Sequence, residues 1–331
     1  MSRRSRAVLL SACWLLAVQF LQSQPSSDPV PPSFRVRANF IRVPVTVFGP
    51  TGKLLTHLER EHFSLLDENS PRAIENFVLD QDRIHVALLL DVSGSIRNEL
   101  KQIAQAALDF ARSFQRNDRF SVITFSDRVQ VLQDWTSSLR AVRRALRKLE
   151  PGYRTAMYDA LWTTTNRQLS RVAGKKAIIL LTDGLDNESG QSYDQIVRRL
   201  IASNVALYII SRTRLIQDEV GRSNRVEFLN RVMSELVNPE EDFVDTYFEQ
   251  KEQAMLHLAE ATGGRALFPE RLEELTDRYL ELARELKSQY VLTFRPPPSS
   301  EQAFRSIRVQ CSEPTGKILH RRQYYWPSPR F

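Results

Sequence analysis

Ile84-His85-Val86-Ala87-Leu88-Leu89-Leu90-Asp91-Val92-Ser93-Gly94-Ser95 is the stretch on which the reading of the whole chain turns. Residues 84–90 are almost continuously apolar, as expected of a strand buried on both faces of a parallel sheet. The run then ends in a carboxylate, a glycine and two hydroxyls. Downstream, strand and helix signals alternate. Leu100, Ile103, Ala104, Ala107, Leu108, Ala111 and Phe114 follow helical spacing. Residues 119–125 and 128–132 read as a hairpin across Ser126-Asp127, 139–149 as a basic amphipathic helix and 156–169 as another. Two more buried strands, 177–182 and 205–210, enclose a helix at 196–202. Repeated βα units predict an α/β fold with a doubly wound, mainly parallel sheet, over residues 82–288.

The segments on either side read as β. Residues 37–48 are rich in β-branched and aromatic side chains and end at a Gly49-Pro50-Thr51-Gly52 turn. Short strands at 63–66 and 73–79 are separated by a turn at 67–71. At the far end, 290–294, 304–310 and 317–325 return to strands, with Pro296-Pro297-Pro298 as a loop. Strand sets this small need partners. The expectation is one small β-sandwich built from 34–81 and 289–326, with the α/β domain inserted in it or flanked by it; two separate β appendages are the alternative. Residues 212–250 are the least legible: Phe228, Leu229, Val232 and Leu236 suggest a helical insertion before a helix at 252–262. Gly263-Gly264 makes a sharp helix end. A short edge strand at 265–268 and a last long helix, marked by Leu272, Leu275, Tyr279, Leu282 and Leu286, complete the unit.

The amino end carries Arg3, Arg4 and Arg6 before an apolar run, 7–21, broken only by Ser11 and Gln19. This reads as a secretory signal peptide over 1–24, followed by a proline-rich spacer at 25–33. Export to a periplasm, outer envelope or extracellular space is the expectation. An uncleaved anchor, or lipidation at Cys13 in the lipobox-like Leu10-Ser11-Ala12-Cys13, would be the only routes to a membrane. Cleavage would remove three arginines and take the net charge from +7 to +4. That is too mild to argue for nucleic acid. It would also leave Cys311 as the only cysteine, so no intrachain disulfide is expected.

Three stretches fall at the carboxyl ends of expected strands or just before a helix, where open α/β sheets bind ligands: Asp91-Val92-Ser93-Gly94-Ser95, Gly152-Tyr153-Arg154-Thr155 and Thr182-Asp183-Gly184. Asp91, Ser93, Ser95, Thr155 and Asp183 offer two carboxylates and three hydroxyls, with no sulfur or imidazole. Such a hard oxygen set suits one divalent cation, Mg²⁺ first and Mn²⁺ or Ca²⁺ next, and is unsuited to zinc. Gly94 would let both serine hydroxyls face one point. The residual positive field would favour an acidic ligand. Each residue also has an ordinary reading. Ser93 and Ser95 could cap a helix starting near Arg97, Thr155 could be an N-cap, and Asp183-Gly184 a turn. Asp159 and Gly184 could support the centre from behind, or Asp159 could simply answer a helix dipole. Asp186 and Asn187 could form a ligand rim or a solvated loop. The basic face Arg140, Arg143, Arg144, Arg147 and Lys148 could meet anionic surfaces or only water.

Asp-x-Ser-x-Ser, a distant threonine and Thr-Asp-Gly, in this order, resemble the metal-ion-dependent adhesion site of von Willebrand factor type A domains. The resemblance implies that Ser93 and Ser95 bind the metal directly, and Thr155 directly or through water. Asp91 and Asp183 would act largely through waters or hydrogen bonds. A sixth position would await a Glu or Asp of a protein partner; in related adhesion domains a shift of the last helix switches affinity. Arg42-Val43-Pro44-Val45-Thr46-Val47, Glu61–Glu68, Ser288–Pro296 and Tyr324-Tyr325 further resemble the exported von Willebrand-related family common in acidobacteria. The function implied is a non-enzymatic module for adhesion or complex assembly. No His-Glu-x-x-His, Gly-x-Ser-x-Gly or Walker-type loop occurs. The enzymatic rival is a Mg²⁺-dependent phosphotransferase or hydrolase with Asp91 as nucleophile. There, Ser93 would stand where an acid/base carboxyl is needed. A third reading is an envelope protein in which the metal only stabilises the fold.

Overall fold

A computed structural model describes residues 40–93, 99–152, 154–184, 189–219, 243–297 and 303–326. In chain order the elements are β1 (Ile41–Phe48), β2 (Phe63–Asp67), β3 (Ser70–Arg72), β4 (Asn76–Leu79), β5 (Ile84–Asp91), α1 (Leu100–Arg112), β6 (Arg119–Phe125), β7 (Val129–Thr136), α2 (Leu139–Leu146) and α3 (Met157–Thr163). They continue as β8 (Lys175–Thr182), α4 (Tyr193–Ala202), β9 (Ala206–Ser211), α5 (Thr213–Glu219), α6 (Phe243–Ala261), β10 (Ala266–Leu267), α7 (Leu275–Lys287), β11 (Tyr290–Phe294), β12 (Ala303–Cys311), β13 (Lys317–His320) and β14 (Gln323–Trp326).

Every residue of β5 is buried. Strand alternation explains how one run feeds two cores. Val86, Leu88 and Leu90 pack under α1, α2 and α7, while Ala87 and Leu89 pack under α3, α4 and α6. Each such leucine contributes on the order of 2 kcal/mol by leaving water. The six-stranded sheet has the order β10-β9-β8-β5-β6-β7. It is parallel except for β7, which returns antiparallel to β6. From β5 the chain goes first to β6 on one side and later to β8 on the other. The loops leaving β5 and β8 therefore diverge, which opens a crevice at their carboxyl ends.

The flanking segments do pair. Two four-stranded antiparallel sheets, β13-β1-β11-β4 and β14-β12-β2-β3, each draw strands from both ends of the chain. Val45 stands opposite Tyr290 in one, and Leu65 opposite Val309 in the other. Val43, Val45, Phe63, Leu65, Leu292 and Phe294 are buried between them.

The structure differs from the sequence expectation in several places. The 67–71 turn shrinks to Glu68-Asn69, at φ 49° and 64°, and Ser70 to Arg72 pair back on β2. Two left-handed residues match the twist of a tight hairpin, and Asn tolerates that region well. Residues 317–325 are two strands: β13 joins β1, β14 joins β12, and the chain changes sheet at Arg321-Arg322. The helix expected at 156–169 is α-helical only to Thr163, then widens into a single π turn over Thr164–Gln168. A run of β-branched threonines, 163–165, crowds the helical wall there. Helix α4 starts at Tyr193 because Ser192 and Gln195 form a reciprocal capping box. In the 212–250 insertion, α5 and the start of α6 are helical; Phe228, Leu229, Val232 and Leu236 lie outside the described residues, as do the signal, the spacer and Cys13.

The α/β layer and the sandwich form one compact unit. Their seam runs through the short link between α7 and β11. Gln289 Nε2 donates to Tyr208 Oη at 3.1 Å and to Thr46 Oγ1 at 3.4 Å. Lys175 Nζ donates to the Leu286 carbonyl at 2.6 Å and pairs with Asp80 at 3.0 Å. No described helix is long and apolar enough to cross a membrane.

The turn after α6 packs onto the sheet without any side chain between. A Cβ on Gly264 would stand 1.9 Å from the Leu207 carbonyl oxygen. Gly264→Ala is therefore expected to lower stability by about 3 kcal/mol. Urea unfolding measures this, and an unchanged midpoint would refute the close approach.

Candidate metal centre

Asp91 is the last residue of β5 and is 1% exposed. Its neighbours fix both oxygens. Oδ1 accepts from the Ser93 backbone N at 2.9 Å, and Oδ2 accepts from Thr182 Oγ1 at 2.8 Å. Thr182 is the last residue of β8, placed beside Asp91 by the parallel register of Leu90 with Leu181. The same hydroxyl accepts from Gly184 N at 3.0 Å. This bends the chain immediately after Asp183. Gly184 has φ +74°, and a Cβ there would lie 2.6 Å from Met255 Cε on α6. Only glycine makes that turn without strain.

The third stretch is stitched across the ends of β5 and β6. Gly152 N donates to the Val92 carbonyl at 2.5 Å, and Ala156 N to the Ser126 carbonyl at 3.1 Å. Thr155 lies between these two anchors and is buried, as are Ser93 and Asp183. Four of the five expected ligand residues thus lie at the end of β5 or on loops that meet at one edge of the sheet. Ser95 and Gly94 are outside the described residues, as are Asp186 and Asn187.

Burial pushes the Asp91 carboxyl up to about 7, and the nearby Asp183 charge adds to the rise. Hydrogen bonds to Asp91 oppose this but do not cancel it. Ser93 Oγ is buried close to this carboxyl. A buried carboxyl that resists ionisation, with a second carboxylate and a buried hydroxyl oxygen beside it, is what a bound divalent cation would correct. Asp91, Ser93, Thr155 and Asp183 therefore fit a hard cation. Among the described residues no group of three or more His, Cys, Asp or Glu could hold a metal, so hydroxyl oxygens are needed to complete any set.

Asp159 is held by the backbone of residues 190 and 191. Its carboxylate accepts from Gly190 N at 3.1 Å and Gln191 N at 2.9 Å, while Ser189 Oγ accepts from the backbone N of Tyr158 and Asp159. It anchors the far end of the loop that follows Gly184. Two residues not singled out from the sequence also shape the site. Thr182 holds Asp91, as the Thr-Asp-Gly triplet itself could have signalled. Arg212, 1% exposed, donates its backbone N to the Thr182 carbonyl at 2.8 Å and pairs through Nη2 with Glu99 at the start of α1. A lone charge after an apolar strand gives no warning of that ion pair. The basic side chains of α2, Arg140, Arg143 and Arg144, are exposed.

These shifts have a signed consequence for the metal-free protein. The folded Asp91 holds its proton up to about 7 rather than its ordinary 3.8. Stability is therefore lost as pH rises from the ordinary range through about 7. Asp183→Asn removes the second cause. In EDTA at pH 8 it is expected to melt a few degrees above the parent, about 1 kcal/mol of relief, with the gap closing toward pH 5. Equal melting temperatures at both pH values would show that the two carboxylates do not repel.

Residues 86–185 match the von Willebrand factor type A domain. Among solved structures, proximal thread matrix protein 1 from the mussel byssus is 16% identical at a TM-score of 0.48, over 67% of this chain and 51% of its own. A second structure of that protein, described as having a zinc-occupied MIDAS motif, is 17% identical at 0.48, over 67% and 50%. The von Willebrand factor type A protein of Catenulispora acidiphila is 12% identical at 0.47, over 88% and 74%. The present chain spans about half the length of the mussel protein. No curated sequence matches it significantly. Residues 86–185 thus match a von Willebrand factor type A domain, within a chain whose flanking segments pair as antiparallel β-sheets.

Proposed function

We propose that this protein is an exported, non-enzymatic binding module for adhesion or complex assembly. It holds one divalent cation, Mg²⁺, between Asp91, Ser93, Ser95, Thr155 and Asp183, and uses it to bind a Glu or Asp side chain of a protein partner. The observation that carries the reading is the buried Asp91, raised toward neutrality beside Asp183, next to the buried hydroxyl of Ser93. A bound cation would supply a fixed positive charge at the crevice, and with it affinity for a carboxylate. The protein's own part is to hold the oxygens still: Thr182 fixes Asp91, the Gly184 turn presents Asp183, and the 152–156 strap presents Thr155. No described side chain stands as an acid/base partner for Asp91 two residues on, since Ser93 occupies that place.

The test has three arms. Mg²⁺ is expected to raise the melting temperature of the full chain, and Ser93→Ala and Asp183→Ala each to abolish that rise. Mn²⁺, Ca²⁺ and Zn²⁺ are titrated alongside, because raw affinity alone does not choose between divalent ions. An immobilised parent protein should retain envelope proteins in Mg²⁺ and release them in EDTA, and Asp183→Ala should retain none. Retention that survives EDTA while stability falls would make the metal purely structural. Turnover of p-nitrophenyl phosphate that Asp91→Asn abolishes would make the protein an enzyme.

A further inference from the structure

Arg321, where the chain changes from β13 to β14, is 7% exposed. Its Nη1 donates to Asn204 Oδ1, and its Nη2 to the Arg42 carbonyl at 2.5 Å. Its Nε is buried without a hydrogen-bond partner, and no carboxylate pairs with the guanidinium among the described residues. A buried cation held only by neutral oxygens is an unfavourable arrangement that a counter-charge would relieve.

Arg321 also lines a cavity of about 380 Å³, within the usual range of small-ligand sites. The cavity lies along the seam between the α/β layer and the sandwich. It opens by the amino ends of β5, β8 and β9, the opposite edge of the sheet from Asp91. Arg42, Lys175 and Lys176 share its wall with Arg321, against a single acid, Asp80. Arg42 and Lys175 are already answered by Asp82 and Asp80. Lys176 has no partner among the described residues, and burial and the neighbouring Arg199 both lower its pKa. Two cationic groups facing this space thus lack a counter-charge. Ile84, Leu200, Ile201, Val205 and Val291 form the apolar part of the wall.

We propose that this seam cavity is a second binding site, for a small organic carboxylate whose head meets Arg321 and Lys176 and whose aliphatic body lies along Ile84, Ile201 and Val205. A single negative charge suits it better than two, because Asp80 stands in the same wall.

The probe is octanoate, titrated calorimetrically into the full chain in EDTA, with acetate and octan-1-ol as the head-only and body-only controls. Octanoate is expected to saturate one site and raise the melting temperature, and neither control to bind. Lys176→Gln, at a half-buried position, should weaken octanoate about tenfold, the loss of one charge-assisted contact. Arg321→Met should abolish binding. Since that variant can fail to fold, Lys176→Gln decides the matter alone. Octan-1-ol binding as well as octanoate, or unchanged affinity in Lys176→Gln, overturns the proposal. Asp183→Ala should leave octanoate affinity untouched, so this site stands or falls separately from the metal centre.

Discussion

Asp91 and Asp183 are two buried carboxyl groups at the ends of adjacent parallel strands, close enough for one charge to act on the other. Like charges in such a place cannot both ionise freely, so the fold must carry either a proton or a cation there. The constraint originates in β5 and β8, whose register places Asp91 beside Thr182 and so brings Asp183 into range. The surrounding features serve that pair. Thr182 spends its hydroxyl on Asp91 and on the turn behind Asp183. The main chain of Arg212 closes over the Thr182 carbonyl, and its buried ion pair with Glu99 ties the end of β9 to the start of α1.

What could be read in the sequence was whatever is local. Residues 84–90 and 177–182 reveal buried strands because both of their faces are apolar. The carboxylates and hydroxyls stand at strand ends because those strands stop there. Periodicity cannot show where a strand changes partner. Residues 317–325 keep one β pattern while crossing from one sheet to the other, since each half still alternates against its own neighbour. The Glu68-Asn69 hairpin was hidden for a related reason: a two-residue turn leaves its return strand looking like part of the loop. Asp159 sits one helical turn from Thr155, so spacing suggested a role behind the metal. Its partners, Gly190 and Gln191, come from a loop that spacing cannot bring near.

The sandwich was legible only as an inference from insufficiency. Neither terminal β set can bury its own apolar face, so each needs the other, and β1 pairs with β11 across the whole α/β insertion. That pairing makes the link from α7 to β11 short and tight. Lys175, Asp80, Tyr208 and Thr46 hold Leu286 to Gln289 from three directions. A displacement of α7 along its axis would have to break these bonds or carry the sandwich with it. The hydrogen-bond pattern therefore makes the two layers mechanically continuous at that junction.

The two edges of the central sheet present opposite electrostatic problems. At the carboxyl edge, acids are crowded and deprived of water. At the amino edge, a guanidinium is sealed into the seam with neutral oxygens, and a lysine nearby lacks a partner among the described residues. Apolar packing at either place would have avoided both costs, because hydrophobic groups of similar volume often replace buried charges without loss. Neither edge has taken that course. A buried charge that the fold does not itself neutralise leaves a cost that an opposite charge would relieve, positive at Asp91 and negative at Arg321.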